Sequence, residues 1–576
     1  MIKNTLIIII TAFFLHSQSK SIEIRGWNIL SDNIAIAEQN IKSARNYDIN
    51  HLQLSHHLIH NLKEISDTTK LEKINHLIRL AHEQGIENVL IWDHALYEKD
   101  YYPKKFFTED GGKLNLDNEE FWDWLKKDYY NHIKRIDAVD GLVLTFIETG
   151  LRIENQFSKL YPTAALKYKK LINELNSVIN GYFSMDLVLR TFSYNQKEID
   201  NILSAVNDIT GENIYIMIKE SNHDFFITHP PNNLIRKINE NIPIIVEFDA
   251  AHEFSGQGAV ASLFPNFHFQ KAKHFSGFDN VVGYSARIDR YGNTSIINRP
   301  TEINIFAIDK GFQKSYTSSD RVIQEYLNKA YGERFPEELV KIFSEVNKVI
   351  LSSYYTLGLN TERHSKLNFS YRSIYTRHVS GRWLKDPVVY IQNGVGKKFH
   401  YWKDIVNHLA PKKHKSGDGF YKKRSSPNDS ISYKILNELE IPRAIENNWL
   451  KPKEMMNENY FFDILKEKSW SVEKAGELVE LVQSLELKID STKYHELFRL
   501  LERTLLAAEL RKSISTIYYG KRVKNRGDKV DIIINENQIK AKKIIDLIEN
   551  YQFEYPVGEY NWKEDAHIAK TYLFGT

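Results

Sequence analysis

The chain has 576 residues, with 77 Lys and Arg against 74 Asp and Glu, a formal net charge of +3. That length exceeds one compact core and predicts two or three domains, and the near balance of charge asks for no nucleic acid or strongly anionic partner. The absence of cysteine excludes disulfides, thiolate chemistry and cysteine-held zinc.

At the N-terminus a lone lysine in MIKN precedes LIIIITAFFL and the polar HSQSKS. This order predicts a secretory signal peptide over 1–20, its apolar stretch being too short to span a bilayer. With no cysteine for a lipid anchor, the expectation is a periplasmic or secreted protein without a membrane anchor.

Continuous apolar runs then begin near Ile22, His51, Asn88, Gly141, Asp186, Asn213, Ile242 and Asn280. Runs that do not alternate read as strands buried on both faces. Amphipathic stretches such as LEKINHLIRLAHEQG lie between them, and Asp117 with Glu120 predicts a capping box for the stretch EEFWDWLKKDYYNHIKRI. Eight strands alternating with helices predict an α/β chain, a (β/α)8 TIM barrel over 21–315. A doubly wound sheet would place a glycine-rich phosphate turn after the first strand, and none follows GWN. From 316 to 576 the spacing turns helical, with Tyr494, Leu497, Phe498, Leu501, Leu505 and Ala508 on one face, and residues 411–430 read as a loop. This mostly α-helical C-terminal domain offers a surface for a homodimer.

In a barrel, chemistry collects where the strands end. Strand four ends toward Glu148, strand five in Arg190, and strand six in Lys219 and Glu220 with Asp224 beyond. Strand seven ends in Glu247, Asp249, His252 and Glu253, and strand eight in Arg287, Asp289 and Arg290. Carboxylates on three nearby strands with arginine between them suit glycoside hydrolysis, where one carboxyl donates a proton to the leaving oxygen and another activates water or attacks carbon. A metal hydrolase is the rival, but His56, His57, Asp93 and His94 lack H-x-H or H-E-x-x-H spacing, and no metal or cofactor is expected. Trp27 reads as a stacking platform or a barrel plug, and Glu247 and His252 as packing behind the reacting groups. Arg287 and Asp289 contact substrate or pair with each other.

Four of these motifs, FIETG, RTFSY, KESNHDF and EFDAAHEFSGQ, occur in an order that resembles the catalytic barrel of the family-67 α-glucuronidases. HKSGDGF in the tail is similar to a loop that approaches the family's active site. The resemblance implies inverting hydrolysis of a terminal uronic acid from a plant or algal oligosaccharide. Glu148 would be the general acid, Asp224, Glu253 or both the base, and Arg190 the uronate ligand. Lys219, Trp27, His252, Arg287 and Asp289 complete the expected substrate side. Leu144 stands where the family has a carboxylate-binding lysine, and the family's N-terminal β-domain has no room here. A neutral or other acidic sugar therefore stays open, as does a retaining enzyme or a non-catalytic carbohydrate-binding relative.

Overall fold

A computed structural model of the chain describes residues 22–192, 196–209, 211–221, 224–227, 231–290, 295–356, 359–360, 365–367, 458–523, 525–552 and 559–574. The expected signal peptide, the 411–430 loop and the HKSGDGF segment lie outside them.

The eight apolar runs form strands β1 (Ile24–Ile29), β2 (His51–Leu54), β3 (Asn88–His94), β4 (Gly141–Thr145), β5 (Asp186–Arg190), β6 (Ile214–Lys219), β7 (Ile244–Asp249) and β8 (Val281–Arg287). Each pairs in parallel with the next, and β8 pairs with β1 to close the barrel. Helices α1 (Ile34–Ala44), α2 (Thr68–Glu83), α3 (Glu119–Ile133), α4 (Ala164–Ile179), α5 (Gln196–Val206), α6 (Pro265–Phe275) and α7 (Ile303–Phe312) follow seven of the strands. After β6 the described residues hold instead a short 3-10 turn, Asn233–Lys237.

Side chains alternate between two buried layers. Ile24, Leu90, Trp92, Val143, Val188, Met217, Ile245 and Val282 fill the barrel interior. Trp27, Leu52, Ile91, Leu144, Leu189, Phe248 and Tyr284 face the helices. Both faces are apolar, which is why the runs do not alternate; each fully buried aliphatic side chain contributes roughly 1.5–3 kcal/mol.

Polar caps fix where helices begin. Asp67 accepts from Thr69 N at the start of α2, and Thr163 accepts from Leu166 N at the start of α4. At α3 the cap is Asn118, which accepts from Glu120 N, and not Asp117. Asp117 instead accepts from the backbone of Lys159 and Leu160, tying the loop after β3 to the loop after β4.

The tail is helical as expected: α8 (Ser319–Tyr331), α9 (Glu337–Tyr354), α10 (Glu458–Gln483), α11 (Ser491–Gly520), α12 (Asp528–Glu549) and α13 (Glu559–Phe574). One apolar cluster joins Ala261, Leu263, Phe269 and Ile303 on the barrel side to Ile342, Leu478 and Leu497 in the tail. The outer barrel layer likewise continues into Ile350, Phe461 and Ile514. Lys468, buried in α10, donates to the carbonyls of Ser352 and Ser353 at 2.7 and 3.0 Å, satisfying the end of α9.

Candidate active site

The inward face that carries Val188, Met217 and Ile245 also carries Arg190, Lys219 and Glu247, two residues on at the C-terminal end of each strand. Glu247 is fully buried there. Arg190 grips it bidentately, Nε to Oε2 at 2.7 Å and Nη2 to Oε1 at 3.2 Å. From β8, Arg287 donates to the same Oε1 through Nε at 2.9 Å, with Nη2 at 2.8 Å. Burial by itself would raise the Glu247 pKa, but Arg190, Arg287 and Lys219 outweigh it and hold the carboxyl at about 2. Burial lowers the pKa of the Lys219 ammonium, opposed by Asp224 and Glu247.

Aromatic rings line these cations. The Arg190 guanidinium lies 4.8 Å from the Trp92 ring centre, Lys219 Nζ 3.4 Å from that of Phe192, and the Arg287 guanidinium 4.5 Å from that of Phe225.

Two of the three expected catalytic carboxylates join this cluster. Asp224 accepts from Lys219 Nζ at 2.7 Å. Glu253, on the loop after β7, meets Arg287 Nη1 at 3.4 Å and Arg290 Nη2 at 2.9 Å. Glu148 stands on the loop after β4, solvent-exposed, and β4 runs beside β5 with Thr145 opposite Arg190.

Glu148 has φ +61°, His252 φ +58° and His56 φ +54°, all left-handed and all just beyond strand ends. The left-handed Asp48, Ala138 and Ser184 lie at the other end of the barrel, ahead of β2, β4 and β5. There a chain leaving a helix often adopts this conformation. His56, Glu148 and His252 follow strands, where no helix end asks for it, and strained backbone concentrates at functional sites.

Arg190, Lys219, Asp224, Glu253 and Arg287 are thus brought together, whereas Trp27, His252 and Asp289 lie elsewhere. Trp27 faces outward, wholly buried, its ring 5.4 Å from Tyr47 in the helix layer. It cannot stack on a ligand at the barrel mouth. His252 turns back to His268, Nε2 to Nε2 at 3.0 Å, and burial brings its pKa down to about 3, so it packs as a neutral ring behind the loop. Asp289 does not pair with Arg287; its Oδ1 accepts from Leu30 N at 2.7 Å and Ser31 N at 3.3 Å, closing the end of β1. Leu144 packs in the outer apolar layer that faces the helices, and not among the inward-facing charges of the mouth.

Sequence reasoning undervalued two residues. Glu247, read as packing, is the hub of the cluster. Asp249 shares its inward face and its Oδ2 accepts from Glu253 N at 2.6 Å. Burial drives Asp249 up to about 7, although Arg287 pulls it down. The spacing of Glu247 and Asp249, two apart on one strand, was the available signal.

No family model matches the chain, and no curated protein matches it. Among solved structures, it is similar to a mutant of the O-GlcNAc hydrolase of Thermobaculum terrenum, with 10% identity, 97% of this chain and 95% of that one covered, and a TM-score of 0.42. It is also similar to a structure titled CpGH84B, with 10% identity, 95% of this chain and 77% of that one covered, and a TM-score of 0.43. Likenesses this loose do not bear on the chemistry of this chain.

Proposed function

We propose that the chain is an exported glycoside hydrolase that removes a terminal uronic acid from an oligosaccharide with inversion. The observation that carries this reading is the charge of the barrel mouth. Among the described residues, Arg190, Lys219, Arg287 and Arg290 gather there with Glu247, Asp224 and Glu253, a set of cations able to receive an anionic sugar. A guanidinium that already grips one carboxylate bidentately keeps further N–H groups with which to receive a second carboxylate.

In this reading Glu148, on its exposed loop, gives its proton to the leaving oxygen. Asp224 and Glu253, each against a cation, supply the carboxylate that takes a proton from water on the opposite side of the ring. Glu247 fixes Arg190 and Arg287 so that their remaining N–H groups face the substrate.

The test is to incubate the full-length protein with oligosaccharides bearing terminal α-linked glucuronate and to follow release by NMR. The β-anomer of free glucuronate should appear first. Release of neutral sugars alone, or of the α-anomer first, would overturn the assignment.

A further inference from the structure

The loop that carries Glu253 is fastened from the far end of the chain. Ser365, 1% exposed, donates through Oγ to the Glu253 carbonyl at 2.9 Å and accepts from Gly256 N at 2.7 Å. One hydroxyl thus bridges the turn directly after Glu253. The Ser365 carbonyl accepts in turn from Arg511 Nη2 of α11 at 3.0 Å. The same Arg511 nitrogen reaches Asp565 Oδ2 of α13 at 2.7 Å, and Asp565 Oδ1 accepts from Leu367 N at 2.8 Å. Arg511 is wholly buried, and its guanidinium lies 3.6 Å from the Tyr354 ring centre. Further along the loop, Arg503 Nε donates to the Ala259 carbonyl at 2.7 Å, and Thr504 Oγ1 accepts from Ala261 N at 2.9 Å.

The turn has little room of its own to settle. Gly256 has φ +111°, and a Cβ there would come within 2.3 Å of Val260 Cγ2. Gly256 adopts this left-handed conformation freely, having no Cβ, but His252 at φ +58° and Gln257 at φ +48° hold theirs at a cost, so the turn depends on outside support. The fastening comes from residues about a hundred to three hundred positions later, so it is a long-range device and not local turn chemistry.

We infer that Ser365 and Arg511 are positioning residues that set the Glu253 carboxylate through its backbone, making the helical region part of the active site. This rests on Glu253 being the proton-accepting carboxylate. A base displaced by a fraction of an ångström no longer aligns its water, which lowers turnover while substrate still binds.

The test compares five full-length variants, two of them at Arg511. Ser365→Ala removes the bridge; Ser471→Ala removes a buried hydroxyl that donates to the Val349 carbonyl, away from the loop; Glu253→Gln removes the base. Hydrogen exchange of the 250–264 peptide should quicken at least roughly tenfold in Ser365→Ala and stay unchanged in Ser471→Ala. The kcat of Ser365→Ala on the released-uronate assay should fall roughly tenfold to a hundredfold with KM nearly constant, and Arg511→Lys should fall less than Arg511→Ala. Unchanged exchange in Ser365→Ala overturns the inference. So does a kcat equal to that of Ser471→Ala when Glu253→Gln is inactive. A fully active Glu253→Gln protein instead overturns the assignment of the base, a result separable from the fastening that exchange reads.

Discussion

Glu247 shows how one side chain can organise a site without being the reacting group. Two guanidinium groups converge on a fully buried carboxylate, so Glu247→Gln takes the buried counter-charge from Arg190 and leaves Arg287 with its longer contact to Glu253. We expect that variant to lose about 3–5 kcal/mol, read as a lowered urea midpoint. Its pH dependence has a definite sign. The folded-state pKa of about 2 lies below the ordinary 4.5, so its stabilisation is present above about 4.5 and disappears as pH falls toward 2. Asp249 works in the opposite sense: raised from 3.8 to about 7, it favours the native state at low pH and loses that contribution as pH rises through about 7. Asp249→Asn should therefore flatten the decline in urea midpoint between about pH 4 and about pH 7, and an unchanged slope would contradict the assignment. Glu247 and Asp249 were visible in the sequence as acids at a strand end. What the sequence hid was orientation: in a strand buried on both faces, composition does not say which residues point inward. Trp27 and Leu144 were misplaced for that reason, and Asp289 because the backbone N–H groups of Leu30 and Ser31, just beyond the neighbouring β1, claim it.

At the scale of elements, the eight strands were legible because each is a continuous apolar run ending in charge. The sixth crossover was not, since the described residues after β6 carry a 3-10 turn where alternation predicted a helix. Closure depends on a contact that no periodicity reveals. At Gly283 a Cβ would lie 1.9 Å from the Ile24 carbonyl oxygen, on the seam where β8 meets β1. Gly283→Ala must therefore part the seam. We expect a loss of about 3 kcal/mol or more, seen as a lower melting temperature and faster exchange in β1 and β8. A variant melting like the parent would show that the seam tolerates separation.

At the scale of the molecule, the barrel and the helical tail share apolar clusters that run across the expected division at 315 and 316. Ala261 and Phe269 pack in one cluster with Leu478 and Leu497, and Ile514 belongs to the outer barrel layer. Residues 22–315 expressed alone should expose that surface and aggregate, whereas the full chain should melt in one transition. A soluble fragment with its own cooperative melt would refute the shared core. The functional account itself stands on the division of labour between Glu148 and the ionic cluster. Its most direct measurement is turnover by Glu148→Gln on a natural uronate oligosaccharide and on an aryl uronide whose leaving group needs no proton. The account predicts a loss of roughly 10²–10⁴-fold on the first and near-parental rates on the second. Equal losses on both, or none on either, would contradict it.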